Sequence, residues 1–166
     1  MFENIIKNVH NRHPLIHCIT NYVSINDCAN IVLACGGAPI MAEDINEVSQ
    51  ITSICQGLDI NIGMLNDNKL SSMLKAGATA NELGIPVILD PVGAGSSDYR
   101  IKAVQNLMSN VQFGVIRGNV SEIKVIAAKQ GIHNIAAGVY ETMQKNKSAM
   151  GVEAGIADKI TDDNIK

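Results

Sequence analysis

Short apolar runs alternate with helically spaced apolar residues along most of the chain. Five runs have the length and bounding turn residues of buried strands: PLIHCIT, APIMA, GLDINIG, IPVILDP and FGVIRGN. The helical stripes between and after them are Val48, Ile51, Ile54 and Cys55; Leu70, Met73, Leu74, Gly77 and Ala80; Ile101, Val104, Leu107 and Met108; and Ile123, Val125, Ile126 and Ala127. This alternation predicts an α/β fold with a mainly parallel central sheet flanked by helices.

Capping residues mark several helix boundaries. Asn66 or Asp67 is a candidate N-cap before one stripe, and Ser97 or Asp98 before the next. Gly84 is a candidate C-cap, since glycine readily takes the left-handed conformation that ends a helix.

The chain contains no internal repeat and no low-complexity segment, which favours a single α/β domain over residues 1–166. From about Lys129 the periodic pattern weakens, and the final stretch, ADKITDDNIK, has the character of a helix that is only beginning. We therefore expect the domain to be truncated at its C-terminus.

Composition narrows the class of protein. Hydrophobic residues make up 46% of the chain and charged residues 17%, as in an ordinary folded domain. The net charge is −3, there is no tryptophan and no run of basic residues, so nucleic-acid binding is not expected. The N-terminus lacks the apolar core of a signal peptide, and no window is apolar enough to span a membrane. These features predict a cytoplasmic protein without a membrane partner.

The cysteines and histidines do not indicate a metal site. No Cys-x-x-C pair is present, and the apolar or helical surroundings of the cysteines favour buried free thiols over zinc ligands or disulfides. The histidines show no metal-ligand spacing with one another. The residues in question are Cys18, Cys28, Cys35 and Cys55, and His10, His13, His17 and His133.

The segment VILDPVGAG places a carboxylate where open α/β sheets bind ligands. Asp90 ends an apolar strand that we expect to be fully buried, and Pro91 then stops the strand. Gly93 and Gly95 would let the backbone approach a ligand closely. Asp90 therefore suits a metal ion or a phosphate-bound magnesium, although an aspartate here also suits a turn that bonds its own backbone.

The fifth predicted strand ends in an arginine. The guanidinium of Arg117 has the planar geometry that grips phosphate. Asn119 and Glu122 follow with the spacing of a capping box, which explains Asn119 well and Glu122 in part. Because Asp90 is expected on a neighbouring strand, two carboxylates and one arginine would converge at one edge of the sheet, as suits Mg²⁺ and a polyphosphate.

The first two strand ends leave alternatives open. Thr20 and Asn21 precede a helix, where they can cap it or lie beside an anion bound at its N-terminus. Met41 can be core filler or the soft wall of an apolar ligand pocket. No P-loop, dinucleotide-binding fingerprint or G-x-S-x-G elbow is present. What remains is a phosphate and metal site assembled from separate strand ends.

Five segments, in order and at short intervals, resemble one known family. They are HCITNYVSINDCAN, APIMAEDINEV, DINIGMLN, ANELGIPVILDPVGAG and VIRGNVSEI, which together run from about Pro14 to Glu122. They resemble hydroxyethylthiazole kinase, an enzyme family of thiamine salvage with a ribokinase-like fold. ILDPVGAG followed by IRGN-x-x-EI is highly specific when both come after an ITN segment.

The resemblance implies transfer of the γ-phosphoryl group of ATP to the alcohol of 4-methyl-5-(2-hydroxyethyl)thiazole. It also implies Mg²⁺ and a homotrimer with thiazole sites where subunits meet. The implied roles are thiazole binding by Met41, Asn21, Val23 and Gly63, ATP binding by Arg117 and Asn21, and magnesium binding by Asp90 and Glu122.

The chain also departs from the family pattern. Members continue through a further ATP-contacting threonine to a glycine-rich loop resembling Gly-Thr-Gly-Cys, which supplies backbone N–H groups and the catalytic base. No such loop occurs in these 166 residues. We therefore expect the catalytic residues beyond Lys166 and the chain alone to be inactive. The alternatives are a non-catalytic thiazole-binding or assembly module, and another ribokinase-like small-molecule kinase.

Overall fold

The structure, a computed structural model, describes residues 2–129. Contacts divide the chain into two units, Met1–Arg117 and Gly118–Lys166. The prediction of one domain stays a prediction, and the helix considered for 157–166 lies outside the described residues. The elements in order are α1 (Phe2–Arg12), β1 (Leu15–Ile19), α2 (Ile25–Ala34), β2 (Ala38–Ile40), α3 (Val48–Ser53), β3 (Gly57–Asn61), α4 (Asp67–Glu82), β4 (Val87–Asp90), α5 (Asp98–Asn110), β5 (Val115–Ile116) and α6 (Val120–Lys129).

The first unit is built on a five-stranded sheet in the order β2-β1-β3-β4-β5. All four strand pairs are parallel, which confirms the predicted α/β architecture. The strand order reverses at β1, because β2 lies on one side of it and β3 on the other. Open α/β sheets bind ligands at such a reversal, in the crevice beyond the carboxyl ends of the strands.

The two faces of the sheet are covered differently. Helix α4 packs against β3 and β4, with α3 and α5 beside it, whereas α2 contacts β2. On β4, Val87 and Leu89 are buried while Ile88 is 40% exposed, so the prediction that all three are buried is wrong for Ile88. Its side chain points to the opposite face, because side chains alternate along a strand.

Two N-cap candidates were predicted for each of α4 and α5, and in each helix one of the two is the N-cap. The side chain of Asn66 accepts a hydrogen bond from Lys69 N (2.9 Å), and that of Ser97 accepts one from Arg100 N (3.3 Å). At the other end of α4 the C-cap residue is Leu83, and Gly84 follows it with φ +68°. The glycine therefore lies one residue beyond the predicted position, where the left-handed conformation is needed.

Two predictions of burial need correction. Helix α3 ends at Ser53, so Ile54 falls outside its apolar face and is 57% exposed. Of the four cysteines predicted to be buried, Cys35 is exposed at the end of α2 and Cys28 is only partly buried, whereas Cys18 and Cys55 are buried; all four thiols are free. Within the part of the chain that the structure describes, no helix combines the length and apolar character needed to cross a membrane.

Gly77 provides a test of the packing between α4 and the segment after α5. A Cβ atom added there would lie 2.5 Å from Cγ2 and 2.8 Å from Cγ1 of Val111. Because Val111 is itself buried, we expect Gly77→Ala to lower the free energy of unfolding by about 1–3 kcal/mol, as overpacking does. Urea denaturation measures this change.

The matched control adds Val111→Ala to the same chain. Removing the valine methyl groups makes room for the new Cβ. The double variant should therefore lose less unfolding free energy than the sum of the losses in the two single variants. Strictly additive losses would contradict a steric clash between these two residues.

Candidate functional site

Polar side chains at the carboxyl ends of β3, β4 and β5 form one connected row. Asn61 Nδ2 donates to Asp90 Oδ2 (2.9 Å), and Arg117 Nη1 donates to the same oxygen (3.0 Å). Asn61 and Asp90 are paired in the strand register, so their side chains lie on the same face. The Arg117 side chain is 79% exposed, so water screens this ion pair and the guanidinium remains accessible to another anion.

The row continues across the reversal of strand order to the end of β1. Asn61 Oδ1 accepts hydrogen bonds from Asn21 Nδ2 (3.0 Å) and from Gly63 N (2.8 Å). A Cβ on Gly63 would lie 2.9 Å from that oxygen, which explains the glycine. Asn21 Oδ1 in turn accepts from Ser24 N (3.0 Å), so Asn21 holds the turn before α2, which begins only at Ile25.

A cavity of about 230 Å³ lies beside the carboxyl ends of β1 and β2. Its size is below that of pockets for drug-sized ligands, which start near ~300 Å³, and suits a small ring. Val23 is 88% exposed and does not line the cavity. The lining residues are Cys18, Thr20, Tyr22, Ile25, Met41, Ala42 and Glu43.

A buried histidine supports one wall of this cavity. His17 Nε2 donates to Ala42 O (2.8 Å), which leaves Nδ1 to accept from Thr52 Oγ1 (2.9 Å). Burial lowers the pKa of His17, so the ring is neutral near pH 7. The imidazole therefore anchors the β2–α3 loop as a hydrogen-bonded core residue.

A charged cluster made of Tyr22, Glu43 and Lys69 lies beside the same cavity, which Tyr22 and Glu43 line. The Lys69 side chain is only 4% exposed, and its Nζ lies 2.7 Å from Glu43 Oε2. The Tyr22 hydroxyl donates to Glu43 Oε1. Burial alone would raise the pKa of Glu43, but the hydrogen bonds from Lys69 and Tyr22 outweigh it and hold that pKa below its ordinary value.

Asp59 places a second carboxyl group near Asp90. It lies on β3, paired in register with Cys18 on one side and Ile88 on the other. Burial raises the pKa of Asp59 to about 6; the charge of Asp90 adds to the rise, and Arg117 opposes it. Asp59 is therefore the carboxyl group here whose charge is most costly.

The second unit contains the capping box that the sequence predicted. Glu122 N donates to Asn119 Oδ1 (3.0 Å), and Asn119 N donates to Glu122 Oε2 (2.8 Å), at the start of α6. Among residues 2–129, no three histidine, cysteine or acidic side chains are arranged to hold a metal ion. Mg²⁺ in phosphoryl-transfer sites needs only one or two carboxylates beside substrate phosphates, so this does not decide the predicted roles of Asp90 and Glu122.

Sequence reasoning missed five residues of these clusters, namely Asn61, Lys69, Asp59, Tyr22 and Glu43, and the first two left a signal. Asn61 is the last residue of β3, the same position that drew attention to Asp90 on β4. Lys69 falls on the buried stripe of α4 four residues before Met73, and an ionisable residue on an apolar face is unusual. Asp59 lies inside its strand and gave no comparable signal.

Comparison with known proteins decides the family. A model of the hydroxyethylthiazole kinase family matches residues 6–161. The chain belongs to the hydroxyethylthiazole kinase family. This match confirms the family resemblance that the sequence motifs indicated.

Curated relatives match the sequence of this chain at high identity, but they are longer. It is 53% identical over 165 residues to a hydroxyethylthiazole kinase of Clostridium acetobutylicum, covering 99% of this chain and 55% of the relative. It is 44% identical to a hydroxyethylthiazole kinase of Methanobrevibacter smithii, and the match covers 97% of this chain and 53% of that relative. The solved structure of the Pyrococcus horikoshii kinase matches with TM-score 0.75 and 38% identity, covering 80% of this chain and 52% of that one. The chain thus spans about half the length of these relatives.

Proposed function

We propose that the protein carrying this chain is a hydroxyethylthiazole kinase, which phosphorylates the alcohol of 4-methyl-5-(2-hydroxyethyl)thiazole with ATP in thiamine salvage. One observation carries the proposal. The small cavity lined by Met41 and the Asn61–Asp90–Arg117 row lie at the same edge of one sheet. Asn21 bonds Asn61 and lies in the chain between Thr20 and Tyr22, which line the cavity. An acceptor pocket next to a group of charged side chains is what phosphoryl transfer requires.

The cavity wall suits an uncharged heteroaromatic ring. The Met41 thioether is soft and polarisable and makes favourable contacts with aromatic edges, and Ile25 and Cys18 add apolar surface. Burial raises the pKa of Cys18 to about 12, so its thiol presents no charge to the ligand. Asn21 and Gly63 lie on the side of the polar row, where the alcohol of the substrate would meet the incoming phosphoryl group.

The polar row suits the phosphates and a magnesium ion. Among residues 2–129, both side-chain hydrogen bonds to the Asp90 carboxylate fall on Oδ2, which leaves Oδ1 for a hard cation, and Asn61 fixes the orientation of the group. Asp90 would hold Mg²⁺, which when bound neutralises charge on the phosphates, and a magnesium role for Glu122 stays a prediction from the sequence. Arg117 would leave its exposed ion pair to bind an ATP phosphate, and Asn21, at the other end of the same row, would also contact ATP.

We also propose that the protein assembles into a homotrimer with thiazole sites between subunits. Helix α2 is apolar but has no buried residue, and it leaves Ile31 and Leu33 62% and 56% exposed. We expect a second copy of the chain to cover part of this exposed apolar area, which includes Val23. Val23 would then line a thiazole site completed at the interface.

Turnover of several alcohols distinguishes the candidate functions. The protein carrying this chain is incubated with Mg-ATP and hydroxyethylthiazole, a hydroxymethylpyrimidine or a sugar, and ADP is measured. We expect that, of the three alcohols, only hydroxyethylthiazole gives ADP. ADP with only the pyrimidine or the sugar would indicate another ribokinase-like kinase, and thiazole binding without ADP would indicate a binding module.

Met41→Asp should weaken binding of hydroxyethylthiazole by at least about tenfold, because a carboxylate in an apolar pocket must lose water when the ring enters. Calorimetry measures the Kd. Met41→Leu is the matched control, since it keeps volume and apolar character and should change the Kd little. Equal binding by Met41→Asp and the wild type would contradict the assignment of the cavity.

A further inference from the structure

We infer that Lys69 is a positioning residue for the thiazole pocket, which it shapes by joining the two loops that line the cavity. The inference rests on the proposed function and adds a residue to it. Lys69 itself does not line the cavity. Its ammonium lies behind the wall, on the first turn of α4.

Three partners from two loops surround the Lys69 ammonium. Nζ donates to Thr20 O (2.6 Å) and lies 4.5 Å from the centroid of the Tyr22 ring, both in the β1–α2 loop. It also pairs with Glu43 Oε2 at 2.7 Å, in the β2–α3 loop. Thr20, Tyr22 and Glu43 all line the cavity, so each partner that this ammonium has among residues 2–129 is part of its wall.

Stability alone does not account for a lysine at this position. Removing a charge from water is costly, and replacing a buried ion pair with packed apolar residues is often neutral or stabilising. The rest of the buried stripe of α4, including Met73 and Ala76, would accept an apolar neighbour. What an apolar side chain cannot do is fix a carbonyl, a carboxylate and an aromatic ring at the same time.

The Glu43 carboxylate is the part of the wall that depends most on Lys69. One of its oxygens pairs with the ammonium and the other accepts from the Tyr22 hydroxyl, so the three side chains form one connected unit. Tyr22 as a residue is 56% exposed, so its ring has little packing of its own to hold it. Without the ammonium, the carboxylate and the ring would adopt several positions, and a ligand would have to order them on binding.

The test is a double-mutant cycle on the binding of hydroxyethylthiazole by the full chain. We expect Lys69→Met and Glu43→Gln each to raise the calorimetric Kd about tenfold, and the double variant to raise it little further, because both changes break the same unit. A lysine that acts only on stability would leave the Kd unchanged, and additive effects would mean that the two residues act on binding independently. Lys102→Met, an exposed lysine on α5, is the control and should bind like the wild type.

The outcomes separate this inference from the proposed function. Wild-type protein that binds no hydroxyethylthiazole overturns both. Wild-type binding with an unchanged Kd for Lys69→Met, or additive effects in the cycle, overturns the inference alone. If Lys69→Met does not fold, Glu43→Gln decides, since Glu43 is 40% exposed and its replacement keeps the shape; an unchanged Kd then overturns the inference.

Discussion

Asp90→Asn is expected to lower kcat/KM for phosphoryl transfer by the protein carrying this chain by about 100-fold or more, in the range found when a charge-stabilising group is removed. Asparagine keeps the size of the side chain and can still accept a hydrogen bond from Asn61. It loses the negative charge that would hold Mg²⁺ beside the phosphates. The loss should be accompanied by a higher magnesium requirement, measured by titrating Mg²⁺ at fixed ATP.

Asp98→Asn is the matched control for this change. Asp98 is exposed in the first turn of α5, eight residues from Asp90. Its replacement by asparagine removes the same charge from the protein. It should leave both the rate and the magnesium requirement nearly unchanged. Similar behaviour of the two variants would contradict a specific role for Asp90.

Asp59→Asn is expected to stabilise the protein at pH 8 by up to about 3 kcal/mol, because each unit of pKa shift corresponds to 1.36 kcal/mol. The folded pKa of Asp59, about 6, is raised above the ordinary value of 3.8 by burial and by Asp90. Its contribution to stability is thus fully present below pH 3.8 and is lost as the pH rises through about 6. Asparagine has no charge to bury, so it avoids that loss.

Urea denaturation at pH 4 and pH 8 measures this effect. The gain from Asp59→Asn should be present at pH 8 and absent at pH 4. Glu82→Gln, an exposed change at the end of α4, is the control and should show little dependence on pH. A gain of equal size at both pH values would mean that packing, not charge, distinguishes the two side chains.

Local patterns predicted the strands and two residues of the polar row. Asp90 and Arg117 were found because a polar residue directly after an apolar run lies at the sheet edge where ligands bind. The capping box of Asn119 and Glu122 was found for a similar reason, since its partners are only three residues apart.

The contacts that assemble the site depend on strand order, which local patterns do not determine. Asn21 and Asn61 are 40 residues apart and meet only because β1 and β3 are neighbours across the reversal. Of the stripe predicted on α4, Met73, Gly77 and Ala80 are buried. Leu70 and Leu74, which belong to the same predicted stripe, are only partly buried. Packing against β3 and β4 rotates the buried face toward Lys69, so the residue behind the cavity wall was missed.

Methyl NMR of methionine during a titration with hydroxyethylthiazole tests the central claim most directly. The chain has seven methionines, and Met41 lines the cavity whereas Met73 is fully buried in the core. With isotope-labelled methyl groups, we expect the Met41 signal to shift with added ligand and to saturate, while the Met73 signal stays in place. Binding without movement of the Met41 signal would contradict the assignment of the thiazole pocket.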